Sequence, residues 1–218
     1  MNSEAPYSDP PTLAHNNAME KDTLDRLSAR ASQHFLGSIA VKQEAEKILP
    51  KKVAQGIVAM TECLRAGGKV MACGNGGSAA DAQHFSAELM GRFERERQEL
   101  AAIALTTDTS ILTAVGNDYS YDEVFSKQVR GLGKKGDILL GISTSGNSKN
   151  VVKAIESAKK MGIKIIALTG NGGGKIASLL DGDDIHLCAP STRTARIQET
   201  HLVLLHSICD GVDHLLLD

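Results

Sequence analysis

Apolar positions recur along the chain with two different periods, and these periods predict where helices and strands lie. Residues 21–49 carry apolar side chains at helical spacing, and Pro50 ends that segment before a second helix that runs to about Arg65. Beyond Gly67, short apolar runs typical of buried strands alternate with helical patterns. The predicted strands are 69–73, 101–105, 137–142, 164–168 and 184–188, and the later predicted helices lie near 79–91, 109–115, 121–131, 149–161, 174–180 and 194–217.

Strands that alternate with helices indicate an α/β fold. We expect five parallel strands joined by right-handed crossovers, which gives a three-layer, doubly wound sheet with helices on both faces. The helices before the first strand form an N-terminal helical arm, a feature that hints at packing against a partner subunit. Residues 1–20 are polar and contain prolines, so they are predicted to be a flexible tail, and residues 21–218 are predicted to be one domain.

Composition argues against several classes of partner. The net charge is −2 and aromatic residues make up only 3%, so the chain lacks the basic face and the stacking platforms that nucleic-acid binding needs. No apolar run is long enough to span a bilayer, and no signal-peptide core is recognisable. Four widely spaced cysteines are interpreted as reduced thiols, three of them in apolar stretches. We therefore expect a cytoplasmic protein with no nucleic-acid or membrane partner.

Two loops that follow predicted strands have the composition of anion-binding loops. Residues 74–78 read Gly-Asn-Gly-Gly-Ser, residues 143–148 read Ser-Thr-Ser-Gly-Asn-Ser, and each loop opens into a helix. Glycine lets the backbone approach a ligand, and a helix N-terminus offers unpaired N–H groups and a positive dipole end. The same residues also suit ordinary caps and turns. Their occurrence at the carboxyl ends of two parallel strands favours a bound phosphate.

Two nucleotide-binding patterns are incomplete in this chain. Gly74, Gly76 and Ala79 fit a dinucleotide fingerprint, but the next strand ends near Leu105, later than the roughly 20 residues at which the pattern expects an acid. Residues 169–176 resemble a P-loop only superficially, because threonine stands where the first glycine belongs and isoleucine where Mg²⁺ would be held. Neither pattern is favoured.

A carboxylate and two histidines form a second group of candidates. His84 and Glu88 are four residues apart on the helix after the first loop, so they share one face. Such a pair is by itself more often an ordinary surface pair. His206 lies on an apolar helix, where a histidine is more often a packed core residue than a ligand. The residues alone leave both alternatives open.

Six motifs follow one another in the chain: Gly74–Ser78, Asp81-x-x-His84-Phe85-x-x-Glu88, Gly116-Asn117-Asp118, 141–148, 167–170 and Arg196-Ile-Gln-Glu199. Together they resemble a sugar-isomerase (SIS) domain, and more closely the bacterial phosphoheptose isomerases, from about residue 30 to the C-terminus. That resemblance implies interconversion of sedoheptulose 7-phosphate and D-glycero-D-manno-heptose 7-phosphate through an enediol, for lipopolysaccharide heptose synthesis. It also implies a homotetramer with sites at subunit contacts and one zinc ion per subunit.

The resemblance implies roles for individual residues. Glu88 and His206 would be the catalytic acid–base pair. Zinc would be bound by His84, Glu88, Gln198 and His206. The phosphosugar would be contacted by Asn75, Gly76, Gly77, Ser78, Glu88, Arg92, Asn117, Asp118, Ser143, Thr144, Ser145, Ser148 and Gln198. Gln198 and His206 are about 12 Å apart along a helix axis. Both reach one ion only if their side chains lean together, the helix is irregular or a neighbouring subunit contributes.

A non-catalytic regulator is the main alternative. The DnaA initiator-associating protein is similar and tetrameric but is not known as an isomerase, and Ala79, Ala80 and Ala195 resemble that regulator more than some isomerases. However, the regulator lacks the carboxylate and the imidazole at the positions of Glu88 and His206, and this chain keeps both. We therefore expect an aldose–ketose isomerase, with a sugar-phosphate-responsive binding module as the alternative.

Overall fold

The computed structural model describes residues 13–218, with side chains from Glu20 onward. The first helix, α1, spans Leu13–Ile48 and so begins before the predicted start at Lys21. Residues 13–20, which the sequence places in the predicted tail, are therefore helical, since leucine, alanine, methionine and glutamate favour continuation of the helix. The remainder of that predicted tail, residues 1–12, lies outside the described residues.

The chain divides into two compact units between Ala40 and Val41. In the first unit, α1 carries large apolar side chains that are each more than half exposed, at Leu24, Leu27, Phe35, Leu36 and Ile39. The second unit holds the end of α1 and all the other elements.

Pro50 separates α1 from α2, as the sequence predicts. Proline occupies the first position of α2, where its missing N–H has no intrahelical partner to lose. The further helices are α2 (Pro50–Arg65), α3 (Gly77–Met90), α4 (Thr109–Asp118), α5 (Val124–Leu132), α6 (Lys149–Lys160), α7 (Gly174–Leu179) and α8 (Thr194–Leu217). The strands are β1 (Val70–Cys73), β2 (Ala102–Ala104), β3 (Ile138–Ser143), β4 (Lys164–Thr169) and β5 (Ile185–Cys188).

The five strands form one parallel sheet in the order β2-β1-β3-β4-β5. This confirms the predicted doubly wound α/β fold, and the predicted strands agree with the observed ones to within a residue or so at each end. The strand that follows β1 in the chain, β2, lies on one side of β1 in the sheet, and the next strand, β3, lies on the other side. The strand order therefore reverses between β1 and β3, which is a topological switch point. Ligands of such sheets bind beyond the carboxyl ends of the strands at that point.

Successive residues of each strand enter two separate apolar cores, because side chains of a strand alternate between its faces. Val70 and Ala72 belong to the core under α2, α3 and α8, whereas Met71 and Cys73 belong to the core under α5, α6 and α7. The helices therefore cover both faces, which gives the predicted three layers.

The four cysteines are free thiols; Cys63, Cys73 and Cys209 are buried and Cys188 is half-buried, as predicted. Within residues 13–218, no helix has both the length and the apolar character needed to cross a membrane.

Candidate active site

The two candidate phosphate loops lie side by side at the switch point. Residues 74–78 connect β1 to α3, and residues 143–148 connect β3 to α6. Gly76 has a φ of 56°, a conformation that glycine adopts without steric strain. The hydroxyls of Ser143 and Ser148 share a hydrogen bond of 2.9 Å across the second loop. Two helix N-termini, with their positive dipole ends, therefore meet beyond β1 and β3, where an anion is stabilised.

Two asparagines join the loops directly. Asn75 Nδ2 donates to Asn150 Oδ1, and Asn150 Nδ2 donates to Asn75 Oδ1, both over 2.8 Å. Asn150 is buried in the first turn of α6 and is not among the site residues predicted from the sequence. Its only local signal is an amide immediately after a serine-rich loop, and its partner lies 75 residues away. The reciprocal pair fixes the spacing of the two loops.

A third loop, residues 170–174, packs against the second loop, residues 143–148. A side chain at Gly146, where φ is 66°, would collide with the carbonyl of Gly173. The Asn147 side chain accepts a hydrogen bond from the backbone N–H of Lys175 over 2.8 Å. These contacts restrict the conformation of the serine-rich loop.

A carboxylate and two imidazoles lie together farther along α3. His84 Nε2 and Glu88 Oε1 are 2.8 Å apart, as their spacing of four residues allows. The ring of His206, on α8, packs edge-on against the His84 ring with centroids 5.1 Å apart, and lies 5.6 Å from the Phe93 ring. His206 is half-buried in this cluster rather than enclosed in the core. One chain by itself therefore assembles His84, Glu88 and His206.

The Glu88 carboxylate is close enough to α8 to affect a thiol there. Burial, followed by the Glu88 carboxylate, raises the pKa of Cys209 to about 12, so that this thiol stays protonated. Cys209 lies about one turn after His206, which places the carboxylate beside the same stretch of α8.

Gln198 lies at the opposite end of α3 from this cluster. A side chain at Gly77 would collide with the Gln198 amide, so that amide rests against the first turn of α3. Gly77 precedes His84 by about 10 Å along the helix axis. Among the residues that the structure describes, no three His, Cys, Asp or Glu side chains converge tightly enough to hold a metal ion. The four predicted metal ligands therefore do not converge on one point in this single chain.

Asp81 adds a buried acceptor on the same face of α3 as His84 and Glu88. Its Oδ2 atom is buried and has no hydrogen-bond partner, and burial raises the pKa of its carboxyl group. The sequence shows Asp81 as part of a motif but suggests no role for it. An unsatisfied buried acceptor beside the loops is suited to a ligand hydroxyl.

Comparison with known proteins agrees with this architecture. Residues 34–170, more than half of the chain, match the SIS domain family. Over 191 residues the chain is 61% identical to a phosphoheptose isomerase of Dechloromonas aromatica. The aligned region covers 88% of this chain and 97% of that relative. The chain belongs to the phosphoheptose isomerase family.

Solved structures of phosphoheptose isomerases superimpose closely. The enzyme from Neisseria gonorrhoeae has a TM-score of 0.83 and 57% identity, over 86% of this chain and 99% of that one. The enzyme from Francisella tularensis also has a TM-score of 0.83, with 46% identity, over 88% of this chain and 98% of that one. The similarity therefore extends over nearly the full length of these phosphoheptose isomerases.

Three residues that the phosphoheptose isomerase resemblance implies are exposed to solvent in this chain. The Arg92 guanidinium is more than half exposed and pairs with Glu96 over 3.1 Å. Asn117 and Asp118 are exposed at the end of α4, where Asn117 Nδ2 donates to Asp118 Oδ1 over 2.8 Å. The segment after α4 contacts the loops through the Tyr121 hydroxyl, which lies 3.5 Å from Asn75 Oδ1.

Proposed function

We propose that the chain is an aldose–ketose isomerase that converts sedoheptulose 7-phosphate to D-glycero-D-manno-heptose 7-phosphate. One observation carries the proposal: the Glu88 carboxylate lies on α3, near the His206 imidazole of α8, and α3 begins at the first of the two adjacent hydroxyl- and glycine-rich loops. The loops bind the phosphate through backbone N–H groups and hydroxyls. The sugar then extends along α3 toward His84, Glu88 and His206. Family membership at 61% identity supports the same reaction.

The reaction moves one proton between neighbouring carbons of the sugar. A base removes the proton from C1 of the ketose, which gives a 1,2-enediol, and return of a proton to C2 gives the aldose. Glu88 serves as that base, and His206 moves the proton between the O1 and O2 oxygens. Positioned acid–base groups of this kind contribute roughly 10²–10⁴ to a rate. Neither step consumes a redox cofactor, since one carbon is oxidised as its neighbour is reduced.

Zinc is part of the proposal because the donor types suit it. Two imidazoles, a carboxylate and an amide oxygen are all ligands that zinc accepts. Two of these donors, His84 and Glu88, already lie within 2.8 Å of each other. His84, Glu88, Gln198 and His206 would hold the ion, and binding would draw these four side chains together from the positions they have in this single chain. When bound, the ion supplies Lewis acidity at the sugar carbonyl.

Assembly as a homotetramer and a cytoplasmic location complete the proposal. The exposed apolar side chains of α1 within the first unit favour burial against another subunit. A partner subunit would also explain how Arg92, Asn117 and Asp118, which are exposed in one chain, take part in the site. Four unpaired thiols suit a reducing compartment. The aldose product would supply heptose for lipopolysaccharide.

Incubation with sedoheptulose 7-phosphate tests the function. We expect aldose product, detected by NMR, from the zinc-loaded protein, strong loss of turnover with a chelator, and recovery when zinc is restored. Binding of the phosphosugar without any turnover, in zinc-loaded protein of the correct fold, would support the regulator instead. Size measurement by light scattering tests assembly, and an active monomer would contradict the shared site.

A further inference from the structure

A buried arginine outside the predicted site connects the two helices that carry the catalytic groups. Arg97 lies in the segment between α3 and β2, and its side chain is 3% exposed. Its Nε donates to Asp213 Oδ1 on α8 over 2.6 Å, and the Asp213 side chain is 4% exposed. Buried charges persist in proteins where they are paired and hydrogen-bonded.

The same guanidinium caps the end of α3. Nη2 donates to the Glu88 carbonyl over 2.7 Å, and Nη1 donates to the Leu89 carbonyl over 2.8 Å. The last carbonyls of a helix have no partner within the helix, so a side chain that binds them fixes the final turn. Here that turn is the one that carries the Glu88 carboxylate.

The two sets of contacts connect the end of α3, which carries Glu88, to α8, which carries His206, through one side chain. Asp213 follows His206 by two helical turns and therefore lies near the same face of α8. Arg97 holds the backbone of Glu88 with one nitrogen and α8 with another. The guanidinium thus sets how the end of α3 sits against α8, and with it the separation of the carboxylate and the imidazole.

We propose that Arg97, paired with Asp213, is a positioning residue for the isomerisation: it touches no substrate but holds Glu88 and His206 at their working separation. This inference rests on the proposed function. A displacement of about 1 Å in a catalytic group can cost 10²-fold in rate. Loss of the guanidinium therefore lowers kcat, whereas KM changes little because the phosphate loops lie at the other end of α3.

The first test compares Arg97→Met with Arg95→Met. Arg95 is a matched control, since it lies in the same segment and pairs with Asp218 just after α8, but both side chains are about half exposed. We expect Arg97→Met to lower kcat 10- to 100-fold with KM within about twofold, and Arg95→Met to change either constant less than twofold. Rates are measured below the melting temperature and divided by the folded fraction.

A second test separates position from stability. Arg97→Met alone leaves the Asp213 charge buried without its partner, which destabilises the fold. The double variant Arg97→Met/Asp213→Asn removes that charge and recovers stability, but it does not restore the cap on the Glu88 carbonyl. We expect its melting temperature to rise above that of the single variant while its kcat stays low.

Arg97→Lys keeps the charge opposite Asp213 and should recover part of the kcat. Recovery of kcat in step with melting temperature in the double variant would overturn the proposal, as would a raised KM with an unchanged kcat in Arg97→Met. If Arg97→Met does not fold, the same comparison is made with Arg97→Lys and Asp213→Asn, which must lower kcat rather than raise KM. If the wild-type protein does not isomerise sedoheptulose 7-phosphate, the proposed function is refuted. If the wild type is active and Arg97→Met has the same kcat, only the role of Arg97 is refuted.

Discussion

At its start, α3 presents neutral donors to the candidate site, whereas farther along it presents groups that gain or lose a proton. The start of α3 supplies backbone N–H groups and a glycine, and beside it lie the linked amides of Asn75, in the preceding loop, and Asn150, on α6. The later part consists of His84, Glu88 and, from α8, His206. Neutral donors bind an anion without competing for the proton that the reaction must move. The separation lets one helix both hold the phosphate and place the acid–base groups.

Glu88→Gln should remove the acid–base function from the later part of α3 and leave phosphate binding at the two loops unchanged. Glutamine keeps the size of the side chain but cannot accept the C1 proton. We expect kcat for sedoheptulose 7-phosphate to fall by roughly 10²–10⁴. Phosphosugar binding, measured by calorimetry, should change far less. Glu99→Gln, an exposed carboxylate in the segment after α3, is the control and should retain full activity. Equal losses in kcat for both variants would contradict the assignment of Glu88 as the catalytic base.

Gly146→Ala should change the backbone conformation of the serine-rich loop, residues 143–148, and so weaken phosphate binding. The new methyl group would collide with the Gly173 carbonyl, and alanine is strained at a φ of 66°. We expect the free energy of unfolding to fall by roughly 3 kcal/mol and KM to rise. Gly172→Ala is the matched control, because its φ is 75° but nothing lies within 4 Å of a Cβ there. That variant should cost only about 1–2 kcal/mol. Urea denaturation measures both, and identical losses would show that the collision is unimportant.

Asn150→Ala should loosen the loops without touching the acid–base groups. It leaves the Asn75 amide without its partner, a loss of about 1–3 kcal/mol. We expect KM to rise roughly tenfold with kcat nearly unchanged. Asn150→Asp should raise KM further, because it adds a negative charge beside the bound phosphate. Gln55→Ala, an exposed amide on α2, controls for amide loss in general. A fall in kcat with constant KM would contradict the division between the two ends.

His201 should make the stability of the fold depend on pH, although it is part of neither the phosphate loops nor the acid–base cluster. It lies on α8 between Gln198 and His206, and its Nε2 bonds the Thr169 carbonyl at the end of β4 over 2.9 Å. Burial lowers its pKa to about 4, against about 6.5 in an unfolded chain. The unfolded chain therefore takes up the proton first as the pH falls. Stability from neutral His201 is complete above about pH 6.5 and is lost between about pH 6.5 and 4.

Urea denaturation across this range measures the effect. The wild type should lose up to about 1.4 kcal/mol per pH unit more than His201→Gln, whose side chain stays neutral and can still donate to Thr169. His214→Gln, at the exposed end of α8, is the control and should follow the wild type. Parallel curves for wild type and His201→Gln would show that His201 is not the group that titrates.

Local sequence determined the positions of the strands, the two loops and the pairing of His84 with Glu88. Each of these depends on residues that are close along the chain: apolar alternation in a strand, glycines and hydroxyls in one loop, or a spacing of four on one helix. The physical cause of each feature therefore lies within a few residues. The start of α1 is the exception, because a helix can extend beyond its apolar pattern when its residues favour it.

Only the tertiary structure decided which distant groups meet. His206 beside His84, Gln198 against Gly77, Asn150 with Asn75 and Arg97 with Asp213 all join positions far apart in sequence. Their contacts depend on how α3, α6 and α8 pack on the sheet, which is set by the combined shape of many side chains. No single segment contains that information, so a buried asparagine and a buried arginine look ordinary until the helices are in place.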